Sequence, residues 1–277
     1  MAQGDITRIA SNISGLNALN ALKAVNQQLG IHQLRLSTGR RINEAADDPA
    51  GLTIATKLNY KSRGLGVALD NIGDAKNLLG VAEGSLNKIS DILLLIRDKA
   101  EQAANDTLGT AERDAIKSQI QALVDEINTI VGETEWNGQA LINGSSSNMT
   151  FQTGFQSTAK TDVKVLTDHS ASTLGVATVD VSSYSSATAY MDLVDKALAS
   201  VSSTLKDIGA IVSRLTFKEE NLVVAKTNTE AAYNRIMNAD IAAEQLEAMK
   251  YQILQQTATA MLAQANVAPQ AVLGLFR

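Results

Sequence analysis

Residues 72–103 read IGDAKNLLGVAEGSLNKISDILLLIRDKAEQA, and their small and aliphatic members recur at alternating steps of three and four. Such spacing keeps apolar side chains on one stripe of a helix, which is the seam of a coiled coil. The stretch therefore predicts a long helix that packs against other helices. The members of this seam are Ile72, Ala75, Leu79, Ala82, Leu86, Ile89, Leu93, Ile96, Ala100 and Ala103.

Two further seams of the same kind lie on the C-terminal side of this one. We expect the second helix to begin at Thr110 and to end near Gly132, because glycine is common just after the last helical turn. Three seams of one period predict an antiparallel helical bundle, in which a late helix packs beside an early pair. The second seam comprises Ile116, Ile120, Leu123, Ile127 and Ile130, and the third comprises Val194, Leu198, Val201, Leu205, Ile208, Val212, Leu215 and Leu222.

The segment between the second and third seams differs in composition. It is rich in Ser, Thr, Gly and Val, and β-type patterns occur at residues 149–153, 162–166 and 177–181. These patterns predict one or two short hairpins in an insert too small to form a substantial domain by itself. A solvated irregular loop is the alternative for such a composition. The predicted fold class is thus mainly α: a long antiparallel helical bundle or coiled coil from both chain ends, with a small hairpin-containing central insert.

Both ends of the chain contain long stretches without charge. No charged residue occurs between Ile9 and Leu22 or between Tyr251 and Phe276. Ala-rich helices of this kind hold an apolar face in water only when another helix covers it. The simplest cover is the other end of the same chain together with neighbouring copies, which predicts self-assembly. The N-terminal stripe includes Ile6, Ile9, Ile13 and Leu16, and the C-terminal seam comprises Ala242, Leu246, Met249, Ile253, Gln256, Ala260, Ala263 and Val267.

The composition argues against several other classes of protein. Only two prolines occur, Pro49 and Pro269, so long helices are possible, and the net charge of −5 gives no basic surface for nucleic acid. Cysteine is absent, which excludes disulfides. No cleavable leader is apparent, because asparagines interrupt the apolar residues near the N-terminus. The Gln and Asn side chains of residues 251–276 argue against membrane insertion.

The chain offers little that could support catalysis. His32 occupies a helical seam, where we expect a packed or interface histidine, and His169 lies in the polar insert, where we expect it at the surface. No phosphate-binding loop, dinucleotide fingerprint, zinc-protease helix or serine-nucleophile elbow occurs. Asp48 before Pro49 predicts a helix N-cap. We therefore expect no enzyme activity, no cofactor and no bound metal.

Several motifs, in the same order along the chain, resemble those of bacterial flagellin. The segment LSTGRRINEAADDPAGL at residues 36–52 resembles the signature joint of that family. QILQQ at 252–256, LAQAN at 262–266 and PQ at 269–270 resemble its C-terminal signature. TEWNG at residues 134–138 resembles the segment that closes the second core helix. Asn234-Arg235-Ile236 with Ala239-Asp240 resembles the start of the last helix. The resemblance covers residues 1–145 and 190–277.

The resemblance implies a secreted subunit that polymerises in many copies into the extracellular filament of the bacterial flagellum, which serves motility. In that family the terminal helices form an inner tube, the bundle forms an outer tube, and variable domains project outward. Residues 1–44 with 236–277 would then form the inner coiled coil, 45–145 with 190–235 the outer helical core, and 146–189 the variable insert. So short an insert implies a comparatively smooth filament.

The family also implies partners and contact residues. The subunit would leave the cell unfolded through the flagellar type III export channel, using an uncleaved N-terminal signal, the export apparatus and a chaperone. It would then meet the filament cap and the hook-associated proteins. The expected inner-coil contacts are Ile6, Ile9, Ile13, Leu16, Leu246, Met249 and Ile253, and the expected joint between the tubes contains Arg40, Arg41, Asp47 and Asp48.

One surface departs from the family pattern. Residues 93–101 align with the surface that an innate immune receptor reads in some members. Those members typically carry an arginine where this chain has Leu95, two residues before Arg97, and an apolar residue where it has Lys99. The resemblance therefore predicts weak or absent recognition by that receptor.

Three other functions are alternatives to the filament subunit. A hook–filament junction protein resembles flagellin at both ends but is present in few copies. A membrane-active or pore-lining helical protein is suggested by the neutral C-terminus alone. An enzyme hidden in the central insert would have to work with two scattered histidines and no cysteine.

Overall fold

A computed structural model describes residues 12–145, 148–164 and 166–274, with side chains as far as Val267. It confirms the mainly α fold. The helices are α1 (Ile13–Thr38), α2 (Pro49–Ala103), α3 (Thr110–Glu133), α4 (Tyr184–Met237) and α5 (Ile241–Gly274). The strands are β1 (Glu135–Trp136), β2 (Gln139–Ala140), β3 (Met149–Gln152) and β4 (Lys160–Val163). The chain forms two compact units, of which the central unit is Lys61–Asn228 and the terminal unit contains the described residues on either side of it.

Short local signals set the helix ends. The Asn12 side chain accepts a hydrogen bond from the Gly15 N–H at 2.8 Å and so caps the start of α1. Gly39 ends this helix with φ at +67°, a left-handed conformation that suits glycine, and its N–H donates to the Arg35 carbonyl. Helix α3 begins at Thr110, as predicted, and ends at Glu133, next to the expected stop.

The central unit is built round the seam of α2. Every member of that seam, from Ile72 to Ala103, is fully buried, as the spacing predicted. Helix α4 runs antiparallel to α2, because Lys76 pairs with Glu219 at 2.9 Å while Arg97, further along α2, pairs with Asp195 near the start of α4 at 2.8 Å. The predicted antiparallel arrangement of early and late helices is therefore confirmed.

The other two seams are broader than predicted. On α3, Val124 and Val131 are buried, whereas their neighbours Leu123 and Ile130 are half-buried. On α4, alternate seam members are fully buried and the members between them are half-buried: the buried residues are Val194, Val201, Ile208 and Leu215. Both helices also pack against the insert, so each buries a wider stripe than a two-helix seam requires.

The strands form two small antiparallel hairpins. β3 pairs with β4 so that Met149 lies opposite Val163. β3 matches the first predicted β segment, whereas β4 begins two residues before the second and shares only residues 162 and 163 with it. The pair β1–β2 was not predicted as a hairpin, although its turn is Asn137-Gly138 with φ at +52° and +76°. Positive φ at both central residues is the geometry that favours an Asn-Gly turn.

The β3–β4 hairpin is attached to two helices by side chains. Asn71 of α2 donates to the Gln152 carbonyl at 2.9 Å. Lys218 of α4 donates to the buried hydroxyl of Thr153 at 2.6 Å, and this hydroxyl lies 2.9 Å from that of Thr161 across the hairpin. Burial lowers the pKa of Lys218. The hairpin is thus held by polar contacts as well as by apolar packing.

The rest of the insert is irregular but well packed. The third predicted strand, residues 177–181, is wrong: this segment has no strand structure. Its apolar side chains nevertheless belong to the same core as the helices. The fully buried members of the insert are Val163, Leu166, Ala171, Val176 and Val181. Val163 belongs to β4, whereas the other four lie in irregular chain and are buried in the same core as the helices without a strand partner.

Candidate assembly surface

The two terminal helices pack against each other in antiparallel order. The Asn12 amide donates to the Ala265 carbonyl at 2.9 Å, at one end of the pair. The Gln255 amide donates to Asn26 Oδ1 at 2.7 Å, near its middle. This contact between the two chain ends was expected from their matching composition.

The faces that meet are poor in large apolar side chains. On α5 the side chains shielded by α1 recur at steps of three and four and are Glu244, Ala248, Tyr251, Gln255, Ala258, Leu262 and Ala265. Among the described residues of the pair, Leu29, Ala248 and Ala258 are the hydrophobic side chains that are buried. Small and amide residues allow close approach and hydrogen bonding, but they remove little apolar surface from water.

A polar cluster joins the helices near the C-terminal end of α1. His32 Nδ1 lies 2.5 Å from one carboxylate oxygen of Glu244, and the Arg35 guanidinium lies 3.4 Å from the other. The His32 ring also stacks on Tyr251, with ring centroids 5.2 Å apart. His32 is therefore packed between the terminal helices, as its seam position suggested.

The predicted C-terminal seam lies on the other side of α5. Its members are offset by two residues from those that face α1, which is roughly 200° round a helix. Leu246 and Ile253 of this seam are 65% and 64% exposed, and Met249 is also exposed. On α1, Ile13 and Leu16 are exposed as well, while Ile6 and Ile9 lie outside the described residues. Their role as inner-coil contacts therefore stays a prediction about contacts between copies.

Arg41 ties the loop after α1 to the end of α4. Its guanidinium donates to the Ile236 carbonyl at 3.0 and 3.2 Å and to Asp48 at 3.3 Å. Its backbone N–H donates to the Met237 carbonyl at 2.7 Å. Ile42 beside it is buried against Met237 and other apolar side chains.

The other predicted joint residues lie in the same loop. Arg40 forms a backbone bridge with Asn238, and its carbonyl accepts from the Asn43 amide at 3.0 Å. Asp47 accepts from the backbone N–H groups of Asn43 and Glu44 at 2.9 and 3.0 Å. Arg40, Arg41, Asp47 and Asp48 are thus brought together in one hydrogen-bonded loop, and their role between two tubes stays a prediction.

The two aspartates of this loop are held in their ionised form. The Gly51 N–H donates to Asp48 Oδ1 at 2.8 Å, so Asp48 caps α2 as predicted. This bond lowers the pKa of Asp48, and Arg41 adds to the effect. The backbone N–H groups of Asn43 and Glu44 lower the pKa of Asp47 in the same way.

The surface at residues 93–101 lies on α2 beside α4. Leu95 is 45% exposed and Lys99 is half-buried. Arg97 pairs with Asp195 at 2.8 Å and with Glu101 at 3.6 Å, and the bond to Asp195 raises the pKa of Arg97. The Arg97 guanidinium is therefore already engaged by two carboxylates.

Family models match most of the chain. Residues 9–147 match the bacterial flagellin N-terminal helical region, and residues 191–276 match the bacterial flagellin C-terminal helical region. The chain belongs to the bacterial flagellin family. The segment between the two matches, residues 148–190, contains most of the small insert.

Curated relatives agree over nearly the whole chain. A flagellin of Halalkalibacterium halodurans is 35% identical over 271 residues, which is 97% of this chain and 99% of the relative. A flagellar filament core protein of Brachyspira hyodysenteriae is 34% identical over 284 residues, with coverage of 97% and 99%. The names of these relatives support a filament subunit.

Solved structures resemble this flagellin in fold. The crystal structure of Bacillus cereus flagellin aligns with a TM-score of 0.50 at 26% identity, over 55% of this chain and 88% of that one. A putative flagellar hook-associated protein of Vibrio parahaemolyticus aligns with a TM-score of 0.58 over 69% of this chain and all of that one. Its identity is 15%, so it shares the helical architecture and gives the junction-protein alternative no better support.

The flagellin contains one buried histidine that the sequence did not reveal. The expectation that His169 lies at the surface is wrong, because its residue is 1% exposed. The apolar residues on either side, Leu166 and Ala171, pack into the core and carry the histidine with them. The recurring Val, Leu and Ala of residues 163–181 was the signal that could have indicated burial.

No cluster in the described part of this flagellin suggests a cofactor. Across residues 12–145, 148–164 and 166–274, no three His, Cys, Asp or Glu side chains are grouped so that they could bind a metal ion. Within the same ranges, no helix combines the length and apolarity needed to cross a bilayer. The features that remain are helical surfaces, among them the exposed apolar side chains Leu246, Met249 and Ile253 of α5.

Proposed function

We propose that this flagellin polymerises in many copies into the extracellular filament of the bacterial flagellum and serves motility. The exposed stripe on α5 is the observation that supports this most. Its members carry no charge and are apolar except for Gln256, and the exposed Lys250 lies at its border, one turn from both Leu246 and Ile253. Large exposed apolar surfaces mark sites of association. When successive copies contact one another through two unlike surfaces and do not close into a ring, they build a helical polymer.

The two compact units support a layered subunit. In this proposal, residues 1–44 with 236–277 line the inner tube, and residues 45–145 with 190–235 form the outer tube. Residues 146–189 form the outward insert. The joint loop, with Arg41 hydrogen-bonded to Ile236, would fix the two chain segments together where the layers meet. Its many backbone hydrogen bonds suit a rigid connection.

We also propose the partners of the subunit and its route out of the cell. Secretion through the flagellar type III channel, with the export apparatus and a chaperone, would precede assembly beneath the filament cap on hook-associated proteins. Since the family consists of structural proteins, we propose no catalytic role, no cofactor, no membrane insertion and no nucleic-acid binding. Hydrogen bonds rather than large apolar contacts join α1 and α5. This kind of interface suits helices that must separate for export.

Ile253→Asp tests the proposal directly. The substitution places a charge in the middle of the exposed α5 stripe, where it would be buried without a partner on assembly. We expect a folded, secreted monomer that fails to elongate filament seeds, at least tenfold below the wild-type rate. Sedimentation and electron microscopy after seeding measure this.

Gln252→Asp is the matched control. Gln252 is the adjacent exposed residue, and the same charge there lies beside the stripe instead of within it. We expect this variant to elongate seeds, even if more slowly. Normal filaments from Ile253→Asp would contradict the assembly surface proposed for α5.

A further inference from the structure

His169 lies at a meeting point of the insert with the helical bundle. Its Nδ1 atom lies 2.8 Å from the Thr167 carbonyl, and its Nε2 atom lies 3.1 Å from the Thr204 hydroxyl of α4. Its backbone N–H donates to the Ile142 carbonyl at 2.9 Å. The residue is buried, so these groups replace water around the ring and its backbone.

The hydrogen bonds define the proton positions on the ring. A carbonyl oxygen can only accept, so Nδ1 carries a proton and donates to Thr167. In the neutral ring, Nε2 then accepts from the Thr204 hydroxyl. If Nε2 gained a proton, it would donate to Thr204 instead, whose own proton could turn to the Ser200 carbonyl at 3.2 Å. Both the neutral and the protonated ring can therefore be hydrogen-bonded, and burial favours the neutral ring because it disfavours a positive charge.

The segment that contains His169 is docked by few contacts. The Ala171 N–H donates to Asn128 of α3 at 3.0 Å, and the Tyr190 hydroxyl of α4 donates to the Val176 carbonyl at 2.9 Å. Besides the bonds of His169 itself, the Ser182 carbonyl accepts from the Arg113 guanidinium of α3 at 3.3 Å, and Ala171, Val176 and Val181 are fully buried. Because the segment has no strand structure, no ladder of backbone bonds holds it in place.

We propose that His169 is an acid-sensitive latch, whose protonation releases residues 167–182 from α3 and α4 while the helical bundle stays folded. The released segment would expose Ala171, Val176 and Val181. The helices retain their own seams, because the buried residues of α2 lie on a face that also packs on α4. The flagellin would thus change its outer surface in acid without losing its helical core.

Burial makes the docked ring resist a positive charge. It lowers the pKa of His169, while the bond to Thr167 and the charge of Asp168 oppose this shift without reversing it. Burial also opposes ionisation of Asp168, but bonds from Thr173 and Ser170 outweigh it and lower the pKa of Asp168. Asp168 therefore stays ionised. The Thr204 hydroxyl, which faces the ring from α4, is neutral, and so is the Ile142 carbonyl, which accepts from the His169 backbone N–H.

The direction of the pH effect follows from these shifts. In the released segment the ring is in water and titrates near the ordinary value of 6.5. The released state therefore binds the proton more tightly than the docked state. Docking is strongest above pH 6.5 and weakens as pH falls, by up to tenfold for each pH unit until the pKa of the docked ring is reached.

Hydrogen exchange of the full-length monomer between pH 7.5 and 5 tests the latch, after correction for intrinsic exchange rates. We expect amides of residues 167–182 to lose about tenfold protection over this range, while α3 amides between Ile116 and Val131 keep theirs. His169→Gln, which stays neutral and can still reach Thr204, should give a flat profile for the segment. Thr204→Val should lower protection already at pH 7.5.

His32→Gln is the control, since the other histidine lies between the terminal helices and should leave the profile of residues 167–182 unchanged. A wild-type profile that is flat, or one that His169→Gln retains, would overturn the latch. So would an acid loss spread equally over α2 and α3. If His169→Gln does not fold, the ring resonance of wild-type His169 can be followed instead. Titration of that resonance at or above pH 6.5 would also overturn the latch.

Discussion

At the scale of single residues, one hydroxyl holds the insert against α4. The Tyr190 side chain is buried and donates to the Val176 carbonyl at 2.9 Å. Burial raises the pKa of this hydroxyl to about 12, so it remains a donor at all ordinary pH values. The carbonyl lies in irregular chain, where no neighbouring strand could satisfy it.

Tyr190→Phe should lower the stability of the central unit by about 1 kcal/mol, because it leaves the buried Val176 carbonyl without its donor. Urea unfolding of the monomer, followed by circular dichroism, measures the loss. Tyr184→Phe is the control, since Tyr184 is 55% exposed and should be replaceable without effect. Equal stability of Tyr190→Phe and wild type would show that the bond does not hold the insert.

The surface around Leu95 concerns recognition by a host receptor. Resemblance to the family predicts weak recognition, because Leu95 and Lys99 replace the usual residues. Arg97 is also paired with Asp195 and Glu101. We expect the purified monomer to activate receptor-reporter cells weakly, and Leu95→Arg to increase the response. Strong activation by the unaltered monomer would contradict the prediction.

At the scale of elements, α2 and α5 show when a periodic pattern predicts packing. The seam of α2 contains several large aliphatic residues, and charged residues such as Lys88 and Asp91 lie outside it, so its period also gave the buried face. Helix α5 is rich in alanine, and both Ala248 and Ala260 lie on regular stripes. The same period then fits two faces, so the sequence could not tell which of them meets α1.

The joint loop gives a prediction about acid. Because the pKa values of Asp47 and Asp48 are lowered, their stabilising bonds are complete above the ordinary value of 3.8 and are lost as pH falls below it. We expect Asp47→Asn with Asp48→Asn to melt below wild type at pH 6, and the difference to shrink towards pH 3. Asp74→Asn, an exposed change on α2, is the control. A pH-independent difference would mean that the carboxylate charge is irrelevant.

At the scale of the whole molecule, the two units differ in how they are stabilised. The central unit has a continuous apolar core drawn from three helices and the insert. The terminal pair is joined by hydrogen bonds and buries few large side chains. Folding must offset the conformational entropy of each ordered residue, which small and polar interfaces do poorly.

We therefore expect the free monomer to protect its units unequally in hydrogen exchange. Amides of α1 and α5 should exchange at least a hundredfold faster than those of α2 between Ile72 and Ala103, and should become protected on assembly. Exchange by monomer and by seeded filament, compared for the same peptides, measures this. Strong protection of both terminal helices in a dilute monomer would contradict the idea that assembly completes their folding.

The sequence was enough to predict the helical bundle, the self-contact of the chain ends and the Asp48 cap of α2, because each depends on local spacing, on composition or on one capping side chain. The position of residues 166–182 against the helices was not predictable in this way. Their burial depends on wider stripes of α3 and α4, which include Val124 and Val131. The burial of His169 was missed for this reason.

The shared core of the insert and the helices bears on the use of this flagellin to display foreign peptides. Replacing the whole insert would remove Val163, Leu166 and Val176 and open a cavity above the helices. The tip of the β3–β4 hairpin is a better place for added sequence, because Ser157 and Thr158 are exposed and lie beyond the paired strands. An epitope spliced there would decorate every copy without disturbing the scaffold beneath it.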